Sequence, residues 1–250
     1  PIYASAFYAL SVLPEDFHEW EYLANSRTPE AYNKIVKGNA DIIFVAQPSG
    51  GQKKRAEESG VTLIYTPFAR EALVFIVNVD NPVNSLTEQQ VRDIFSGAIT
   101  NWRTVGGNDQ EIQTWQRPED SGSQTVMQSQ VMKNVRMISP QETEVASMME
   151  GMIKVVAEYR NTNNAIGYTF RYYATQMNAD KNIKLLAING IAPTAENIRN
   201  GKYPYIVDAF MVTRENMTSE TQKLVEWFLT PQGQSLVEDV GYVPMYKTLH

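Results

Sequence analysis

Two hydrophobic periods alternate along this chain. Ala40-Asp41-Ile42-Ile43-Phe44-Val45-Ala46 is a short apolar run that predicts a buried strand, and 61–65 predicts another. Residues 71–79 form a continuous β-branched and aromatic run, the pattern of a strand covered on both faces. Further short runs predict strands at 112–115, 165–168, 183–186 and 205–212. Between these runs, apolar residues recur every three or four positions and predict helices. The stretch 29–37 reads as a helix with Thr28 as N-cap, Pro29 in the first turn and Gly38 as the stop. Thr87-Glu88-Gln89-Gln90 has the form of a capping box, followed by the apolar stripe Val91, Ile94, Phe95 and a closing Gly97.

Other helices are predicted at 53–59, from about Ser123, and over 142–160. In the last of these, Val145, Met148, Met149, Met152, Ile153 and Val156 lie on one helical face and read as core rather than as cofactor ligands. Thr218 is placed to cap a helix carrying Leu224, Val225, Phe228 and Leu229, which Pro231-Gln232-Gly233-Gln234 interrupts before a final segment around Leu236. The first residues, Pro1 to Phe7, read as a helix already under way, so the chain is expected to begin just after a removed segment. Alternating strands and helices over this length predict an α/β fold with mainly parallel sheets.

Composition narrows the function. The 250 residues carry 22 basic and 28 acidic side chains, a net charge of −6, which disfavours a partner read through a polyanionic backbone such as a nucleic acid. There is no cysteine and there are two histidines, His18 and His250, which excludes disulfides, thiolate metal sites and a cysteine nucleophile. The longest apolar run, Ala72 to Val77, is far short of the roughly 20 residues of a membrane helix. No Walker loop, dinucleotide fingerprint or nucleophile elbow is present, and no catalytic residue, metal ligand or cofactor is assigned.

Candidate chemistry concentrates in Arg117-Pro118-Glu119-Asp120-Ser121-Gly122-Ser123-Gln124-Thr125, between a strand and a helix. Unpaired N–H groups of a first helical turn, two serine hydroxyls and a guanidinium fork make a plausible cradle for a small oxyanion. The same residues are also compatible with a plain helix cap beside a surface arginine. The helix start at Thr28 is a second possible donor site, or ordinary capping. Gln47-Pro48-Ser49-Gly50-Gly51 is a third polar segment after a strand, where open α/β sheets bind ligands, or simply a turn.

Four segments resemble the PstS-like phosphate-binding proteins of bacterial ABC transporters. They are Asn78-Val79-Asp80-Asn81-Pro82-Val83 with Leu86-Thr87; Ile94-Phe95-Ser96-Gly97-Ala98-Ile99-Thr100-Asn101-Trp102; Arg117 through Thr125; and Asn164-Ala165-Ile166-Gly167-Tyr168. The resemblance implies a two-lobed periplasmic-binding-protein-like (type II) fold with a hinge and an interlobe cleft. Residues 1–70 and 204–250 would form one lobe and 71–203 the other. It also implies that inorganic phosphate is the ligand and an ABC transporter permease the partner, with no chemistry performed. The protein would be a monomer, extracytoplasmic, either periplasmic or a secreted lipoprotein of the cell surface.

By position, the resemblance makes Arg117 the anion-binding arginine, Ser121, Gly122 and Ser123 the donor loop, and Thr28 the counterpart of a first-lobe serine. A further donor loop is expected ahead of Pro1. Gln47, Ser49 and Glu119 are possible additional contacts. Many members of the family carry an aspartate at the position of Ala46, where it accepts the proton of hydrogen phosphate. Its absence keeps other oxyanions open as ligands. A phosphorylated metabolite as the ligand, and a ligand-sensing ectodomain without transport, are separate alternatives.

Overall fold

The structure is a computed structural model that describes residues 26–133, 135–139, 149–158, 164–177 and 179–249. The expected helix at Pro1, both histidines, and Val145 and Met148 of the methionine stripe lie outside these residues. The chain divides into two compact units: Pro1–Arg70 with Asp208–His250, and Glu71–Val207.

In the first unit, α1 (Thr28–Lys37) ends at Gly38, whose φ of 76° is the left-handed conformation that a helix stop favours in glycine. It buries Ala31, Tyr32 and Ile35 against Ile43 of β1 (Ile42–Val45) and Val212. Then α2 (Gly50–Glu58) leads to β2 (Leu63–Asn78), a 16-residue strand that carries the chain into the second unit. The return is β8 (Ile206–Arg214), which pairs antiparallel with β1. Two helices, α7 (Ser219–Phe228) and α8 (Pro231–Asp239), and the short β9 (Val243–Pro244) complete the unit. Phe44, Phe68 and Phe228 pack edge to face in its core, with ring centroids 5.3–5.6 Å apart.

The second unit contains β3 (Ser85–Leu86), α3 (Glu88–Ser96), a 3₁₀ turn (Trp102–Val105) and β4 (Gln113–Thr114). After these come α4 (Gly122–Val126), which runs on as a π-helical segment to Met132, and α5 (Met149–Glu158). The remaining described elements are β5 (Ala165–Phe170), a second π-helical segment (Tyr173–Met177), β6 (Ile183–Leu185), β7 (Ala187–Ile188) and α6 (Ala195–Arg199). As the stripe predicted, Met152, Ile153 and Val156 of α5 are buried. Phe75 of β2, Phe95 of α3 and Tyr168 of β5 form a buried aromatic cluster, with centroids 5.5–6.4 Å apart.

The α/β class is as expected, but the sheets are mixed rather than mainly parallel. β2 pairs antiparallel with β5, β6 and β9, and only β3–β7 and β4–β5 are parallel among the registered pairs. Alternation of strand and helix shows that crossovers exist. It does not fix the direction in which partners meet one long strand shared along the chain. The strands expected at 61–65 and 71–79 are likewise one element, because Pro67 costs a ladder donor without leaving extended geometry. Pro231 does not interrupt a helix but starts α8, with Thr230 accepting from the Gly233 N–H. Gly233 is required there: a Cβ would lie 2.3 Å from the Trp227 carbonyl oxygen.

Candidate functional site

The Arg117 loop is positioned by β4 and β5. Parallel pairing of Gln113 with Ala165 and Thr114 with Ile166 continues past the strand end, where the Trp115 N–H donates to the Ile166 carbonyl at 2.9 Å. The chain therefore reaches Arg117 in the register of β5. Arg117 is 7% exposed, so the reading of it as a surface charge is excluded. Its backbone N–H lies 3.2 Å from the Tyr168 hydroxyl and 3.3 Å from Gln124 Oε1.

From Arg117 the chain turns at once. The Ser121 N–H donates to the Pro118 carbonyl at 3.2 Å, and Asp120 adopts a left-handed φ of 65°. Ser121 is the N-cap of α4, its hydroxyl accepting from the Gln124 N–H at 3.3 Å. Gly122 and Ser123 occupy the first turn and are buried, and their N–H groups have no acceptor within the helix. The Ser123 hydroxyl is buried and has no hydrogen-bond partner among the described residues. A buried hydroxyl left unpaired costs about 1–3 kcal/mol, a deficit that a bound acceptor removes. Glu119, within the turn, is exposed.

The candidates of the first unit look different. Thr28 is not an N-cap: that position belongs to Arg27, and α1 starts without any side-chain cap. Threonine preference placed the cap one residue late: α1 starts at Thr28, and Pro29 is tolerated next to it because a first-turn N–H has no intrahelical acceptor to lose. Gln47 is half-buried after β1. Ser49 is the N-cap of α2 in a closed capping box: Gln52 N–H donates to Ser49 Oγ at 3.2 Å and Ser49 N–H to Gln52 Oε1 at 2.9 Å. The turn expected at 47–51 is therefore a helix start, and α2 begins three residues earlier than its polar pattern suggested. The Ala46 carbonyl accepts from the Tyr32 hydroxyl at 3.2 Å, which ties α1 to the end of β1.

The segments that carry the family resemblance mostly build scaffold. Trp102 is buried, with its indole N–H on the Asn164 carbonyl at 2.8 Å, and Asn101 caps the 3₁₀ turn through the Arg103 N–H. Asn81 Oδ1 accepts from the Val83 N–H at 2.9 Å. Trp102 and Asn101 tie the turn ahead of β4 to the start of β5, the strand whose register Arg117 follows.

Two polar groups were missed in the sequence. Gln124 joins α4 to Arg117 and Tyr168. Glu71, read as part of an apolar strand, is buried at the start of the second unit, its carboxylate accepting from the N–H groups of Ala72 (2.8 Å) and Tyr172 (2.9 Å). Burial pushes its carboxyl up to about 7, against the opposing pull of those two bonds and of Arg171. Among the described residues no group of His, Asp or Glu is arranged to hold a metal ion, and no helix is long and apolar enough to cross a membrane.

The chain is similar to proteins already known. The phosphate-binding protein PstS of Bacillus subtilis is 27% identical over 209 residues, covering 83% of this chain and 64% of its own length. This chain thus spans less than two thirds of that relative. The PstS of Borreliella burgdorferi is 27% identical, covering 85% of this chain and 74% of its own. A Clostridium perfringens protein solved with bound phosphate superimposes with a TM-score of 0.72 at 24% identity, covering 86% of this chain and 84% of that one. An ABC-type phosphate transport receptor from Vibrio cholerae gives 0.65 at 24% identity, with the same coverage. These two likenesses establish the fold. The family model for the PBP superfamily domain matches residues 19–232, and the chain belongs to that family.

Proposed function

We propose that this protein is an extracytoplasmic solute-binding protein that captures inorganic phosphate between two lobes, formed by residues 1–70 with 204–250 and by 71–203, and delivers it to an ABC transporter permease. The observation that carries the reading is the start of α4. There the buried guanidinium of Arg117 stands within one short turn of a helix N-terminus that carries the buried Ser123 hydroxyl, a group with no hydrogen-bond partner among the described residues. Relatives that share most of this chain are named phosphate-binding proteins.

The chemistry suits a dehydrated tetrahedral anion. The Arg117 fork supplies two parallel charged donors, the N–H groups of Gly122 and Ser123 point along the positive end of the helix, and the hydroxyls of Ser121 and Ser123 orient around it. By the family resemblance alone, Thr28 supplies a first-unit donor, with Gln47 and Glu119 as further contacts; Ser49 is spent in the closed capping box of α2. Nothing in this set activates a nucleophile, so the protein binds and releases its ligand unchanged. It works as a monomer, periplasmic or tethered at the cell surface by a lipid.

A second reading, the same site binding another oxyanion, is favoured by one observation: the methyl side chain of Ala46 cannot accept a proton from hydrogen phosphate. Calorimetric titration with phosphate and with sulfate between pH 5 and 8 separates the two. Phosphate binding at least tenfold tighter than sulfate supports the first reading. Equal affinities remove the phosphate-specific claim.

A further inference from the structure

We infer that Gln124 and Tyr168 are positioning residues for anion binding: they lock the backbone of Arg117 and so aim its guanidinium, without touching the ligand themselves. The inference rests on the proposed function and adds to it the device that presents the arginine.

Gln124 holds the loop at both of its ends. Its backbone N–H donates to the Ser121 hydroxyl, and its side-chain Oε1, 3.3 Å from the Arg117 N–H, reaches back across the turn to the residue where the loop begins. The same oxygen accepts a hydrogen bond from the Tyr168 hydroxyl, and that hydroxyl lies 3.2 Å from the Arg117 N–H. Three groups from β5, α4 and the end of the β4 segment thus close a triangle on one peptide N–H. The Gln124 amide is oriented in turn by its NH₂ group, which contacts Met137 Sδ at 3.8 Å.

Tyr168 is a rigid anchor for this triangle. The side chain is fully buried, and its ring is packed edge to face on Phe95 at 5.5 Å and tilted against Phe75 at 6.4 Å. Burial holds the hydroxyl protonated well above the ordinary phenol range, so it remains a donor at any working pH. A fixed N–H fixes the direction of the Arg117 Cα–Cβ bond. For a long side chain that must present a planar fork, this determines where the guanidinium can reach. The turn that follows, with Asp120 in a left-handed conformation, starts from this anchored peptide.

The test is calorimetry with inorganic phosphate on the full chain and on Tyr168→Phe, Gln124→Ala, Arg117→Lys and the double variant Tyr168→Phe/Arg117→Lys, each checked for folding by thermal melting. Tyr168→Phe keeps the buried ring, so it stays informative even where Gln124→Ala fails to fold. Each positioning variant is expected to bind phosphate about threefold to tenfold more weakly at unchanged stoichiometry, the scale of one hydrogen bond. In the Arg117→Lys background, where a point charge has no fork to aim, Tyr168→Phe is expected to have less than about a twofold effect. Wild-type affinity in folded Tyr168→Phe overturns the inference while leaving the proposed function intact. A loss of equal size in the Arg117→Lys background also overturns it, because the hydroxyl then acts by another route. A wild-type chain that binds no anion overturns the proposed function, and this inference with it.

Discussion

Ser49-Gly50-Gly51-Gln52 and Ser121-Gly122-Ser123-Gln124 are nearly the same four residues, and each starts a helix after a strand, yet they end in different states. At Ser49 the glutamine three residues on folds back onto the cap, and the two exchange hydrogen bonds in a closed box. At Ser121 the cap N–H is already taken by the Pro118 carbonyl, so Gln124 extends to Arg117 and Tyr168 instead. The first start closes its cap and its glutamine on each other. The second recruits a buried arginine and leaves a buried serine hydroxyl without a partner among the described residues. A helix start becomes a binding site only where its donors remain unspent, and the sequence pattern of the cap does not reveal which case holds.

That contrast can be broken most forcefully at Arg117. Replacing it by alanine is expected to weaken phosphate binding by more than about 1.5 kcal/mol, over tenfold in Kd by calorimetry, since a charged bidentate donor is lost. The two glutamines come next. Gln124→Ala is expected to weaken binding about threefold to tenfold, whereas Gln52→Ala is expected to lower stability by about 1 kcal/mol in denaturant unfolding and leave phosphate affinity unchanged. If the two behave alike, the distinction between a closed and a recruiting start is wrong. The smallest effect is expected at Ser123. Ser123→Ala removes a buried hydroxyl that has no partner among the described residues, so the ligand-free protein is expected to melt at the same or a higher temperature while phosphate binds about threefold more weakly. A drop in melting temperature without a change in affinity would show that the hydroxyl serves the fold rather than the anion.

Much of this was legible along the chain where the physics is local. The box at Thr87 and Gln90, the Gly97 stop and the Thr218 cap follow from neighbouring residues, and all three form as the pattern predicts. Local reading failed where two local terms compete. The Gly50-Gly51 pair resembles a turn because glycine costs about 1 kcal/mol in a helix, but the Ser49–Gln52 box pulls both residues into α2. At α1 the cap fell on Arg27 rather than Thr28, which removes the local reason for singling Thr28 out. The direction of pairing around β2 depends on strands far along the chain, from Ile166 opposite Val77 to Pro244 opposite Ala69, and left no mark on the apolar runs. The site was half legible for the same reason. Arg117, Ser121, Gly122 and Ser123 stand together in the sequence, but the burial of Arg117 and the diversion of Gln124 depend on Tyr168, 51 residues on from the arginine.

The most direct test of the central claim, that the start of α4 binds an anion and the closed start of α2 does not, is a crystal structure of the protein grown with phosphate at about ten times its measured Kd. A tetrahedral anion is expected within hydrogen-bond distance of the Arg117 guanidinium, the Gly122 and Ser123 N–H groups and the Ser123 hydroxyl. An anion seated away from Arg117, or a Ser123 hydroxyl still unpaired in the phosphate-bound protein, would contradict the claim.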